Sequence, residues 1–248
     1  MRSFLPGIIQ AFLCVALTVV LLVTASGHGA NVTVLSGPDI VAAFHAARPS
    51  QALVFAGDKY STATIFETDA EEVRLIFNRH LCEDAHLSTG DRVTVMFVTG
   101  EEADAAIIFL SERADLAMAH VRADDISADT RNTIRAVTTD TEAYEALLPD
   151  AQLFVVRSVW PGSSDGPDAR VQVAVTSHTG YLIEKEVILS SFSHPVLIAK
   201  IAPERGMSGS GLFDDRAAFL GLMSAGNGEG VALFVPLPVI LEEISKNL

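Results

Sequence analysis

A short glycine- and serine-rich stretch near the end of the chain is the first candidate for chemistry. Residues Gly206 to Gly211, GMSGSG, place three glycines and two serines in six positions between apolar segments. Such a density of small residues marks either a plain turn or a backbone that must approach another group closely. A serine hydroxyl here could act as a nucleophile. It would need an imidazole base, a carboxylate that orients the base, and backbone N–H groups for a developing oxyanion.

Three stretches supply these groups in the chain order His, Asp, Ser. His80 follows an apolar run in VRLIFNRHLCEDA, Asp115 precedes one in ERADLAMAHV, and Ser208 lies in IAPERGMSGSGLFD. An Asp at the start of a strand is ordinarily a turn residue, so Asp104 and Asp125 stand as alternative carboxylates. The order of the three stretches nevertheless favours a triad of His80, Asp115 and Ser208.

Other site chemistries are excluded or lack their motifs. A Gly-x-Ser-x-Gly turn of an α/β-hydrolase would need glycine where Ser210 stands, and a catalytic histidine after the nucleophile. All seven histidines lie at or before His194, so that fold is excluded. The sequence has no CxxC, HExxH or GK[ST] motif, and we therefore expect no metal and no cofactor.

The elements that must position these residues are mainly β-strands. Short apolar and β-branched runs are separated by Gly, Asp, Ser and Asn at the spacing typical of sandwiches and barrels. A polar stretch at 124–151 divides them into two groups, with helical turns expected around TEAYEALL. One helix is expected at 38–50 and another in PVILEEISKNL at the end. The expected strands are 52–56, 62–66, 73–77, 92–98, 105–110, 153–159, 169–177, 185–192, 196–201 and 233–237.

Composition and the N-terminus restrict location and partners. Of the 248 residues 49% are hydrophobic, and the net charge of −14 argues against nucleic-acid binding, because phosphates would be repelled. Arg2 precedes the apolar run AFLCVALTVVLLV and the small-residue stretch TASGHGA. This pattern predicts a signal peptide or membrane anchor over 1–30, with export to the periplasm or the extracellular space. Membrane contact is expected only through that segment.

The three site stretches resemble one family, the trypsin-like serine peptidases, and especially their bacterial secreted and Deg-type members. FNRHLC is similar to a "TNRHVV"-like histidine segment, DLAMAHV to a "DLALLKV"-like aspartate segment, and IAPERGMSGSGLF to an "INPGNSGGPLF"-like serine loop. The resemblance runs from about Ser61 to Pro236. Since the chain ends at residue 248, we expect no PDZ domains.

The resemblance implies an all-β fold of two six-stranded antiparallel β-barrels with a C-terminal helix. The first barrel, within 31–140, would carry His80 and Asp115; the second, within 141–248, would carry Ser208 and the terminal helix. The implied activity is that of a serine endopeptidase, which cleaves a protein or peptide substrate through an acyl-enzyme.

The resemblance also implies the residue roles. His80 would be the general base, Asp115 would fix its tautomer, and Ser208 would attack the scissile carbonyl. The N–H groups of Gly206 and Ser208 would form the oxyanion hole. The edge on which substrate backbone pairs as an added strand would be lined by Ser224, Ala225 and Gly226.

Several residues depart from the family pattern. Met207 stands where digestive trypsins have Asp, and no N-terminal segment of the Ile-Val-Gly-Gly type occurs, so zymogen activation is not expected. Ser210 replaces a glycine, and STATIF replaces a glycine-rich strand. Ala202 stands where trypsins carry their pocket acid, which favours a small or apolar P1 residue. These departures keep an alternative open: a catalytically inactive or latent trypsin-like fold that acts as a binding or regulatory protein.

Overall fold

The computed structural model describes residues 38–160, 173–227 and 229–248. The predicted signal peptide or anchor at 1–30 lies outside the described residues, as does the first part of the predicted strand at 169–177. None of the helices within the described residues is long and apolar enough to cross a membrane.

Six strands close into the first barrel. Their order around the barrel is β1-β2-β3-β6-β5-β4, and all neighbours are antiparallel. Its interior holds small and aliphatic side chains together with Phe77 and Phe97, all removed from solvent. Because β-strand side chains alternate between faces, each strand contributes every second residue to this core. The strands are β1 Gln51–Ala56, β2 Lys59–Thr68, β3 Glu72–Phe77, β4 Arg92–Phe97, β5 Glu102–Leu110 and β6 Ala117–Arg122.

Six further strands form the second barrel. The order is β8-β9-β10-β13-β12-β11, and the pairing of β11 with β8 closes the ring. A two-residue strand, β7 (Thr138–Thr139), adds to the outer side of β12 in parallel. The core contains aromatic side chains, among them the stacked pair Phe154 and Phe213. The strands are β8 Gln152–Val159, β9 Ala174–Val187, β10 Val196–Lys200, β11 Gly211–Asp214, β12 Ala218–Asn227 and β13 Val231–Pro236.

Short helices connect the strands, and one longer helix follows β13. The helices are α1 Pro38–Ala47, α2 Arg79–Asp84, α3 Ala128–Thr133, α4 Thr141–Glu145 and α5 Leu237–Asn247. Side-chain oxygens of Ser127 and Asp140 accept backbone N–H groups in the first turns of α3 and α4, as N-caps do. Helix α5 buries an apolar face that includes Leu237, Ile240 and Ile244.

The predicted fold class is confirmed: the chain forms two six-stranded antiparallel barrels with a C-terminal helix. The helices expected at 38–50 and at the C-terminus are present, the first ending in a 3₁₀ turn. The predicted division between residues 140 and 141 falls in the connection from β6 to β8, at the start of α4.

The prediction of separate strands at 169–177 and 185–192 is wrong. A single strand, β9, runs from Ala174 to Val187 through the sequence TSHTGYL, which reads locally as a turn. Gly180 lies within this strand where β10 crosses it closely: a Cβ added there would lie 1.9 Å from the carbonyl oxygen of Lys200. A glycine that permits close approach of backbones therefore resembled a turn glycine in the sequence.

Candidate active site

His80 is placed by the junction between a strand and a short helix. Strand β3 ends at Phe77, Asn78 keeps an extended backbone, and α2 begins at Arg79. His80 therefore lies in the first turn of α2, where backbone N–H groups lack partners within the helix. Its side chain is 42% exposed, so the imidazole is accessible from solvent.

Asp115 lies in the loop between β5 and β6 and accepts three hydrogen bonds. Its Oδ2 accepts from His80 Nδ1 at 2.8 Å and from the Ser224 hydroxyl at 2.6 Å. Its Oδ1 accepts from the backbone N–H of His80 at 3.0 Å. The side-chain amide of Asn78 donates to the Asp115 carbonyl oxygen at 3.1 Å, which ties this loop to the end of β3. The carboxylate is thus fixed against both the ring and the backbone of His80.

These contacts change the proton affinity of both groups. The hydrogen bond that His80 donates to Asp115 raises the pKa of His80 above its ordinary value, although burial of the ring opposes this. Burial alone would raise the pKa of Asp115, but hydrogen bonds from His80 and Ser224 and the histidine charge outweigh burial and lower it. Asp115 is therefore ionised near neutral pH, and it favours the imidazolium that forms when His80 accepts a proton.

The loop that carries Ser208 is held against β2 of the first barrel. The N–H of Thr62 donates to the Ser208 carbonyl oxygen at 3.0 Å, and the Thr62 hydroxyl donates to the Gly206 carbonyl oxygen at 3.1 Å. The Thr64 hydroxyl donates to the Gly209 carbonyl oxygen, also at 3.1 Å. On the other side, the N–H of Gly209 donates to the Met223 carbonyl oxygen at 2.9 Å. The loop is therefore fixed by both barrels.

Gly209 cannot be replaced by a larger residue without displacing this loop. Its φ of +77° lies in the left-handed region, and a Cβ there would lie 2.0 Å from the Thr62 carbonyl oxygen. Both the conformation and the packing require glycine. Gly209 therefore serves a close backbone contact and is not the glycine of a free turn.

Ser208 and His80 line one cleft of about 450 Å³, together with Gly206 and residues of β2 and α2. Among the hydrogen bonds of the described residues none joins the Ser208 hydroxyl to His80, and the N–H groups of Gly206 and Ser208 donate to no acceptor there. Neither N–H group is therefore occupied by another acceptor within the described residues. The cleft brings the predicted nucleophile, base and oxyanion donors together.

The predicted substrate edge, Ser224 to Gly226, lies at a bulge in β12. The register with β13 shifts between Met223 and Ala225, so Ser224 is left out of the ladder and its hydroxyl turns to Asp115. Ala225 and Gly226 pair with β13. A Cβ added to Gly226 would lie 2.5 Å from Pro203 Cβ, so the proline ring packs directly on this edge.

The alternative carboxylates lie elsewhere. Asp104 is on the outer surface of β5, where its carboxylate lies 3.8 Å from Arg92 Nη1, and Asp125 is exposed in the 3₁₀ turn after β6. Cys82, beside the site in sequence, is fully buried in the first barrel, and burial raises the pKa of its thiol to about 12. Its thiol is therefore protonated at neutral pH and takes no part in the chemistry.

Comparison with known proteins agrees with this architecture. The chain is similar to the structure of the HtrA-type protease AlgW with a tripeptide, with a TM-score of 0.66 and 17% identity over 84% of this chain. The match spans 63% of the AlgW chain. The chain has the fold of the trypsin-like serine proteases. No protein-family model and no curated protein sequence matches the chain.

Two further structures share the trypsin-like fold. An inactive form of Rv3671c from M. tuberculosis H37Rv matches with a TM-score of 0.60 and 15% identity, over 85% of this chain and 96% of that one. Deg5 matches with a TM-score of 0.62 and 14% identity, over 82% of this chain and 91% of that one. At these identities the likeness defines the fold, and the site must be argued from its own residues.

Two residues of this trypsin-like fold were missed by the sequence analysis. Thr62 and Thr64 are fully buried, and their hydroxyls hold the carbonyl groups of the Ser208 loop. The sequence feature that could have identified them is the spacing of Thr62 and Thr64 in STATIF, which places both hydroxyls on the same face of a strand. The contact of the Ser224 hydroxyl with Asp115 was also not predicted, because Ser224 was predicted only as part of the substrate edge.

Proposed function

We propose that the chain is a serine endopeptidase of the trypsin-like family, with His80, Asp115 and Ser208 as its catalytic triad. The observation that carries the proposal is the double contact of the Asp115 carboxylate with the ring and the backbone of His80, beside a cleft shared with Ser208. A carboxylate that orients a histidine next to an accessible serine is the arrangement that activates a hydroxyl.

In the proposed reaction Ser208 Oγ attacks the carbonyl carbon of a peptide bond while its proton passes to His80 Nε2. The carbonyl oxygen becomes an oxyanion, which the N–H groups of Gly206 and Ser208 stabilise. His80 then returns the proton to the leaving amine, which leaves an ester on Ser208. Water attacks this ester with His80 again as base, and the acid product is released with the serine restored.

The substrate would bind as an extended strand along Ser224, Ala225 and Gly226. Pro203 packs on Gly226 and narrows the space beside this edge, which supports the preference for a small P1 side chain. The solved AlgW structures contain a tripeptide and a decapeptide, which is in keeping with a peptide substrate for this fold. The N-terminal sequence supports export of the protein.

A fluorophosphonate probe tests the proposal, because it forms a covalent bond only with an activated serine. We expect the wild-type protein to be labelled, with the adduct on Ser208, and we expect Ser208→Ala and His80→Ala to lose labelling. Ser210→Ala is the matched control: the Ser210 hydroxyl is fully buried and lacks a hydrogen-bond partner within the described structure, so its removal should leave labelling intact.

A binding or regulatory role without turnover is the second candidate. It is favoured by the lack of a hydrogen bond between Ser208 and His80 among the described residues and by the contact of Pro203 with the substrate edge. Folded wild-type protein that is not labelled at any pH from mildly acidic to mildly basic would support this role and contradict the peptidase.

A further inference from the structure

The turn that precedes Ser208 decides where the proposed oxyanion donors point. The N–H of Met207 donates to the Glu204 carbonyl oxygen at 3.2 Å, and Gly206, the third residue of the turn, has a φ of +85°. This matches a type II turn, which requires a positive φ at that position. If the turn changed its conformation, the peptide between Arg205 and Gly206 would rotate, and the direction of the Gly206 N–H would change with it.

Two nitrogens of the Arg157 guanidinium on β8 contact this turn, and the third contacts strand β9. Its Nη2 pairs with Glu204 Oε2 at 2.8 Å, and its Nη1 donates to the carbonyl oxygen of Arg205 at 3.2 Å. Its Nε donates to the hydroxyl of Thr176 on β9 at 3.2 Å. The Arg157 side chain is only 14% exposed, so these contacts are less screened than those of a surface ion pair.

Arg157 contacts the peptide unit whose N–H is one of the two proposed oxyanion donors. The carbonyl of Arg205 and the N–H of Gly206 belong to the same peptide unit, so a donor fixed on one fixes the direction of the other. A guanidinium suits this task because its nitrogens form a rigid planar fork that can hold a carboxylate and a carbonyl at once. The Nε of Arg157 is held by Thr176, which lies directly opposite Arg157 in the β8–β9 register.

The residue beside the nucleophile cannot supply an ionic anchor of its own. Met207 is fully buried in the core of the second barrel, and its sulfur accepts only the N–H of Glu204 at 3.0 Å. His178 Nδ1 lies 3.8 Å from Glu204 Oε1, but burial lowers the pKa of His178, which keeps it neutral at pH 7. The positive charge that balances Glu204 is therefore that of Arg157.

We propose that Arg157 is a positioning residue that holds the Glu204–Met207 turn in the conformation in which the Gly206 N–H faces the cleft. The proposal rests on the proposed function, since it assigns Arg157 to the oxyanion hole of the same site. Met207, which stands where trypsins have Asp, is an apolar side chain buried in the core, and the ionic contact at this turn is that between Arg157 and Glu204.

The test combines labelling kinetics with hydrogen–deuterium exchange in Arg157→Met and Arg157→Lys. The phosphonyl oxygen of a fluorophosphonate needs the oxyanion donors, so Arg157→Met should lower the maximal labelling rate while the concentration for half-maximal rate changes little. Loss of one oxyanion donor costs about 10²–10³-fold in rate, which sets the upper limit of the effect. Exchange in the segment 203–209 should become faster. Arg157→Lys, which keeps the charge but not the fork, should be intermediate in both.

Arg74→Met is the control, because Arg74 is likewise an arginine paired with carboxylates, Glu67 and Glu72, but it lies on β3 of the first barrel. It should change neither the labelling rate nor exchange in 203–209. The proposal is overturned if Arg157→Met matches the wild type in exchange of this segment, or exchanges faster yet labels at the wild-type maximal rate. If the wild type itself is never labelled, the proposed peptidase function fails, and the exchange result alone decides whether Arg157 holds the turn.

Discussion

At the scale of single residues, the proton affinity of His80 is the property most open to measurement. The hydrogen bond that this imidazole donates to Asp115 raises its pKa above the ordinary value of 6.5. A general base must be neutral to accept a proton, so the rate should fall as the pH decreases through this raised pKa. We therefore expect the acidic limb of the labelling rate to lie above about pH 6.5, the unperturbed value for histidine.

Asp115→Asn should move that limb and reduce the rate. The amide cannot stabilise the imidazolium, so the pKa of His80 should fall and the acidic limb should shift to lower pH. The labelling rate on the plateau should fall by up to about 10⁴-fold, the loss found for this change in a comparable triad. The pH dependence of labelling measures both effects.

Asp84→Asn is the control for a carboxylate that acts on His80 through its charge alone, without a hydrogen bond to the ring. Asp84 raises the pKa of His80 only through its charge and is paired with Lys59 at 2.9 Å on the surface. Its replacement should shift the acidic limb less than Asp115→Asn does. If Asp115→Asn leaves the limb at the wild-type pH, Asp115 does not set the proton affinity of the base and the triad assignment is wrong.

At the scale of elements, helix α5 supports the loop that carries Asp115. Glu243 is buried on this helix, and its Oε2 accepts the Ser111 hydroxyl at 2.5 Å. The Ser111 hydroxyl in turn accepts the N–H groups of Arg113 and Ala114 at 3.1 and 2.9 Å. The last helix of the chain thus fixes the backbone immediately before Asp115, although it lies in the other half of the sequence.

Glu243→Ala should therefore destabilise the fold and loosen this loop. It leaves the buried Ser111 hydroxyl without its acceptor, which costs about 1–3 kcal/mol of unfolding free energy. A double-mutant cycle with Ser111→Ala, measured by urea unfolding, should give a coupling of about 0.5–3 kcal/mol. Glu242→Ala is the control, because Glu242 pairs with Arg113 in an exposed position and its loss should matter little. Equal losses from both variants would contradict a specific role for Glu243.

The elements also show how much of the fold could be predicted from the sequence. Strands with clear apolar runs, such as β3 and β4, were predicted within a residue or two, because β-branched and aliphatic residues between turn signals carry that information locally. Strand β9 was split, because Gly180 is needed for the approach of β10, and that need is visible only once the two strands are paired. The local sequence indicates which residues favour a strand, but it does not show which strand they pair with.

The site follows the same division. The motifs around His80, Asp115 and Ser208, in that order, predicted that the three residues approach each other; His80 contacts Asp115 and shares a cleft with Ser208. The hydrogen bond from the Thr62 hydroxyl to the Gly206 carbonyl joins residues 144 positions apart, and no local pattern predicts it. The contacts of Arg157 with Glu204 likewise arise from the closure of the second barrel. The residues that hold the proposed catalytic residues in place could not be predicted from the sequence.

At the scale of the whole molecule, the proposed site exists only where the two barrels meet. His80 and Asp115 belong to the first barrel and Ser208 to the second, so the distance between base and nucleophile depends on how closely the barrels pack. Gly209 lies against the Thr62 carbonyl in this packing, since a Cβ at residue 209 would lie 2.0 Å from that oxygen. A methyl group at residue 209 would push the Ser208 loop away from strand β2.

Gly209→Ala should therefore lower stability and labelling together. Gly57→Ala is its matched control: Gly57 also has a positive φ, +64°, but a Cβ there meets nothing within 4 Å. The left-handed conformation alone costs an alanine about 1–2 kcal/mol, so Gly57→Ala should lose no more than that in urea unfolding. Gly209→Ala should lose clearly more and should abolish fluorophosphonate labelling, because the loop must move away from β2 and take the Ser208 hydroxyl with it. Equal losses of stability in the two variants, with labelling retained in Gly209→Ala, would mean that the approach of the barrels at this point does not set the geometry of the site.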